Sequence, residues 1–199
     1  HARHDPESKL PGNIALPYPI YDGGWANGQH AGFLGMKYDP IIMKPDQGKP
    51  YDGKSPVSGH LSFDFIEGVN EQRLADRRNL LTQLSGSAQP TEPLEHYQQR
   101  VFDMLLDEET RRAFKVDDEP ERQHHRYGSH VLGQSLLTAR RLTGAGVPLV
   151  TVYAAAGDLN GSAGAHFDTH ADGYNRLKKQ MLPPLDQGLS ALLDDLHES

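Results

Sequence analysis

Apolar residues along this chain change their spacing from one stretch to the next, and the spacing predicts the elements. VPLVTVYA (147–154) is rich in β-branched residues and bounded by Gly146 and Gly157, which predicts a buried strand. The glycine-rich stretch after it, AAGDLNGSAGA, reads as a loop. From about Tyr174 to Leu196, the positions Leu177, Met181, Leu185, Leu189, Leu192 and Leu196 form a helical stripe. Pro183-Pro184 should kink or restart that helix, because proline lacks the backbone donor and crowds the preceding turn.

Upstream, the period is also helical. Tyr127–Thr143 turns Val131, Leu132, Leu136, Ala139 and Leu142 inward, with Gly144 as the expected C-cap. Residues 70–84 keep Leu74, Leu81 and Leu84 in register behind Asn70 as N-cap, and 92–106 align Leu94, Tyr97, Val101 and Leu105 behind Thr91. A short helix is expected over Glu108–Phe114. In residues 1–60, Pro and Gly recur every few positions and leave room for regular structure only near Phe33–Met36 and Ile41–Met43. Trp25, Phe33, Tyr38, Ile41 and Ile42 give this stretch enough apolar weight to dock on a core.

The expected fold class is therefore α/β, with helices packed on a mainly parallel sheet. One convincing strand is visible, and a strand that apolar needs hydrogen-bonded neighbours on both sides. The reading that follows is a single partial domain over 1–199, with most strands of the sheet outside it. Its loop-rich segment is 1–69, its helical segment 70–146, and its strand, loop and long helix 147–199.

Composition narrows the function classes. The 20 basic against 27 acidic residues give a net charge of −7, with no basic run that would mark a nucleic-acid footprint. No apolar run reaches the length of a membrane span, and the absence of cysteine excludes disulfides and thiolate metal sites.

The strongest chemistry lies after the strand, where open α/β sheets collect their ligand-binding residues. His166, Asp168 and His170 alternate there, and imidazole and carboxylate are the non-thiolate ligands of divalent cations. Two readings fit: a metal site needing further ligands from elsewhere, or solvated histidines with Asp168 or Asp172 capping the last helix. His30 sits among glycines that allow close backbone approach to a ligand, and equally fits a turn. His124-His125-Arg126 could hold an anion if it opens a helix, or form a solvated turn. Arg140-Arg141 suits a helix C-terminus, and Asp117-Asp118-Glu119 and Asp194-Asp195 read as solvated faces.

Five segments in this order, GQHAGFLGMKYDP (28–40), RRNLL (77–81), AF (113–114), RYGSHVLGQSLLTARRLTGAGVPLVTV (126–152) and DTHADGYNRLKKQMLPPLDQGLSALLDDL (168–196), resemble the bacterial "domain of unknown function 1501" proteins. These are sulfatase-like members of the alkaline phosphatase superfamily. The resemblance implies a partial alkaline-phosphatase-like fold and a metal-dependent hydrolase acting on phosphate or sulfate esters, small or polysaccharide. It implies Asp168 and His170 as ligands of a divalent ion (zinc, calcium or magnesium), with His166 a weaker third. It also implies an exported or periplasmic parent of which 1–199 is an internal part. The family pattern has Trp before Asp-Thr-His; here Phe167 stands there. The competing readings are a scaffold or binding module that keeps the fold without the activity, and a self-contained helical domain.

Overall fold

The structure, a computed structural model, describes residues 9–17, 29–35, 38–42, 70–85, 101–154, 167 and 171–198. Three short strands form a parallel sheet: β1 (Ile14–Leu16), β2 (Ile41–Ile42) and β3 (Val150–Val152), in the order β2–β1–β3. Ile14 pairs with Ile41 on one side and with Val150 on the other, so β1 is the central strand. Its Ile14 and Leu16 are fully buried. The α/β class holds at this level.

The expectation that both neighbours of this strand lie elsewhere is corrected on one side. β3 has β1 beside it, and the strand is three residues long rather than eight. Sequence pattern missed β1 because three residues between Pro11 and Pro17 show no period, and their pairing is made by backbone groups common to every residue. Near the other two expected short elements lie a 3-10 turn at Gly32–Leu34 and β2.

Helices pack beside the sheet, one of them directly on β3. α1 (Glu71–Ser85) is capped as expected, with Asn70 Oδ1 accepting the Arg73 amide at 2.9 Å. Leu74 is buried, but Leu81 is exposed, so the stripe turns only partly inward. Residues 101–106 are helical (α2), and the remainder of the expected 92–106 helix, with Leu94 and Tyr97, lies outside the described residues. α3 (Glu108–Phe114) starts on Asp107, whose carboxylate accepts the Thr110 amide (2.9 Å) and hydroxyl (2.8 Å). Partial burial pushes the Asp107 pKa up, but these bonds and Lys9 outweigh it and hold the carboxyl below its ordinary value.

The expected helix over Tyr127–Thr143 is found as a single helix that starts later, at Val131, behind a separate short one. α4 (Glu121–Tyr127) ends at Gly128, which takes φ +94, and α5 (Val131–Gly144) begins after His130. The His130 ring accepts the Gly133 amide through Nδ1 at 2.9 Å, the work of an N-cap. Gly144 is the last residue of α5, and the left-handed position falls to Gly146 at φ +106.

α5 lies at the centre. Ala139 and Leu142 join β1, Leu10, Phe114 and Val147 in one core cluster, while Leu132, Leu136 and Leu137 join Tyr127, Val116 and Ala191 in a second. The last helix is continuous over Gly173–Glu198 as α6 (Gly173–Arg176), a π-helical turn (Leu177–Met181) and α7 (Leu182–Glu198). The Leu182 amide bonds to the Leu177 carbonyl, five residues back. This wider turn stands just ahead of Pro183 and Pro184, where an α-helical path would crowd their rings against preceding carbonyls. The prolines therefore widen the helix rather than break it.

Candidate functional site

In a parallel sheet every strand points its carboxyl end to the same edge. The chain passes from β1 to β2 on one side and then to β3 on the other, so the direction of winding reverses between β1 and β3. In open α/β sheets the crevice at such a reversal is where ligands bind. Leu16 and Val152 are in register across it, and the Tyr153 amide donates to the Leu16 carbonyl at 2.7 Å. The segment leaving β3 here is the one that carries His166, Asp168 and His170.

Those three residues lie outside the described residues. Of the adjoining residues, Phe167 and Ala171 are described. Phe167 is 43% exposed. Asp172 closes the segment with φ +50, directly before α6. Its side chain makes no cap to the helix backbone; instead its Oδ1 accepts from Asn175 Nδ2 at 2.7 Å. Among the described residues no three His, Asp or Glu side chains come together as a metal-binding group.

His30 is placed elsewhere. Its Nδ1 lies 3.4 Å from Asp39 Oδ2, and Asp39 Oδ1 accepts the Ala31 amide at 2.6 Å. Asp39 is two residues ahead of β2, so this loop belongs to the amino-terminal edge of the sheet, opposite the end at which β3 releases its loop.

The anion reading of His124-His125-Arg126 is corrected, because these residues end a helix rather than open one. His124 Nδ1 is 2.6 Å from Gln134 Oε1, His125 Nε2 is 3.4 Å from Glu121, and Arg126 is paired to Asp194 and Asp195. The solvated-face reading of Glu119 and Asp195 is corrected as well. The Asp195 carboxylate is 7% exposed and receives Arg126, Tyr127 Oη at 2.8 Å, and Arg140 Nε at 3.2 Å as an ion pair outside hydrogen-bond geometry. Arg140 and Arg141 both reach Glu119, at 2.9 and 2.5 Å, and Arg141 also donates to the Arg112 carbonyl at 2.7 Å. Burial and the bond to Asp195 push the Tyr127 phenol well above its ordinary pKa, so it stays a donor. No sequence spacing links Arg126 to Asp195, and only the packing of α4 on α7 reveals this network.

No helix among the described residues is long and apolar enough to cross a membrane. Comparison with curated proteins and with solved structures returned no match. Over residues 1–199 the chain matches the model of the family described as protein of unknown function, DUF1501, and it belongs to that family.

Proposed function

We propose that the chain belongs to a sulfatase-like, metal-dependent hydrolase of phosphate or sulfate esters, with Asp168 and His170 as metal ligands and His166 as a third. The observation that carries this reading is the reversal of winding between β1 and β3, because the loop bearing all three residues leaves the sheet at that crevice. The donor set fits a divalent cation: a carboxylate and two imidazoles suit zinc, and the carboxylate also serves magnesium or calcium. A bound divalent ion would polarise the ester oxygen and stabilise charge that develops on it.

The chain's own contribution is placement. The β1–β3 pairing fixes where the loop departs, and α6 takes it up again at Asp172. Phe167, adjacent to Asp168 in the sequence, is exposed. Asp168→Asn and His170→Ala should each lower bound metal, read by elemental analysis of the purified protein, and lower hydrolysis of p-nitrophenyl phosphate or sulfate. Metal content unchanged in both variants overturns the ligand assignment. Metal bound without hydrolysis of either ester would favour a scaffold that keeps the fold.

A further inference from the structure

We propose that Lys178, held over the Tyr174 ring, sets the specificity of the ester site by favouring a doubly charged phosphate monoester over a singly charged sulfate monoester. The inference rests on the metal-loop reading above, and its test is read apart from hydrolysis.

The first observation is the course of the last helix. Val150 borders the core cluster of Ala139 and Leu142, and Ala154 borders the cluster of Leu132, Leu136 and Leu137. α5 therefore runs antiparallel to β3 and begins at the carboxyl edge of the sheet. α7 runs parallel to α5, because Gly188 meets Gly133 and Leu136, while Asp195, further along, pairs with Arg140 at 3.2 Å. The helix ahead of Gly188, residues 173–187, thus continues past that carboxyl edge for about 20 Å. The loop carrying Asp168 and His170 joins this arm at its far end. His170 is four residues from Tyr174, so their Cα atoms are no more than about 14 Å apart.

The second observation is charge. From 173 to 185 the chain carries Arg176, Lys178 and Lys179 and no acidic residue, although the net charge is −7. Lys178 is exposed, and its ammonium lies 5.9 Å from the centroid of the Tyr174 ring. The side chain follows the usual helical direction toward the amino terminus, which carries the charge one turn closer to the metal loop than its own Cα. The ring face attracts a cation, and this limits the freedom of a long side chain. An anion held at the loop meets a positive charge whose position is set in advance.

The ligand chemistry follows from Coulomb attraction, which scales with the charge of the anion. A phosphate monoester carries close to two negative charges at neutral pH, and a sulfate monoester carries one. A lysine beside the metal therefore gains more from the phosphate ester.

The test uses phenylphosphonate and benzenesulfonate, probes of two charges and one charge that cannot be hydrolysed. Each is titrated by calorimetry into the zinc-loaded full chain at about pH 8 and low ionic strength. For charges about 8 Å apart in water, Lys178→Gln should raise the dissociation constant about fourfold for phenylphosphonate and about twofold for benzenesulfonate. Both losses should vanish in about 1 M salt, where the screening length falls to about 3 Å. Lys178→Arg should bind as the parent chain does, with the same metal content in all three proteins. Equal losses for the two probes, no loss for either, or no binding of phenylphosphonate would each overturn the assignment. Binding that depends on Lys178 without hydrolysis of p-nitrophenyl phosphate would refute the hydrolase reading and leave the anion site in place.

Discussion

His130 caps α5 with an imidazole nitrogen, a task that needs the ring neutral. Nδ1 accepts the Gly133 amide, so the proton of the neutral ring sits on Nε2, which is buried without a partner in hydrogen-bond geometry. Burial lowers the pKa of the ring from 6.5, and the neighbouring Gln187 opposes this only in part. Protonation would turn the acceptor into a donor and place positive charge at a helix N-terminus. The folded state binds this proton less readily than the unfolded state. The cap's contribution is therefore complete above the unfolded value near 6.5 and is lost as pH falls through the lower folded value. Asn also caps helices and does not titrate. His130→Asn should flatten the fall in urea midpoint between neutral and mildly acid pH, and an unaltered slope would refute the assignment.

At the scale of elements, the contacts of α5 with α7 and with the end of α4 depend on two glycines. A Cβ on Gly188 would sit 2.9 Å from Leu136 Cδ1 and 3.3 Å from Gly133 Cα, and one on Gly133 would meet the Tyr127 carbonyl oxygen at 2.1 Å. The two helix backbones approach each other where neither has a side chain. Gly133→Ala should cost about 1–3 kcal/mol or more by overpacking, read as a lower urea midpoint. Gly144→Ala is the control, since a Cβ there meets nothing within 4 Å. It should stabilise by about 0.4–1 kcal/mol through loss of unfolded-chain freedom. Sequence reading takes glycine in a helix as a weakness, and here one glycine is replaceable while two are contact surface.

For the whole molecule, the Asp195 carboxylate links the last helix to the centre. It joins Arg126 and Tyr127 of α4 to Arg140 of α5, and Arg140 passes the chain of charges to Glu119. Removing the carboxylate leaves the buried Tyr127 hydroxyl without its acceptor and takes one of two partners from each of Arg126 and Arg140, so Asp195→Ala should cost about 1–3 kcal/mol in denaturant unfolding. Asp194→Ala, exposed and holding Arg126 at 3.3 Å, should cost less than about 1 kcal/mol. Equal losses would show that the buried pairing does not anchor the helix.

What the sequence determined by itself is what short-range physics dictates. Periodic apolar spacing located the helices around Leu74, Leu136 and Leu189, and β-branched content located β3. The Asn70 cap follows from a local side-chain bond, and the DUF1501 membership from motifs kept in order. Tertiary structure decided the rest. β1 and β2 exist through backbone pairing that no side-chain pattern announces, and their order sets the crevice beside β3. Which face of α7 turns inward was settled by the close approach of Gly133 and Gly188, which favoured small residues over the leucine stripe. Asp195 became a buried anion because residues far apart in the chain met around it, and no local spacing encodes such a meeting.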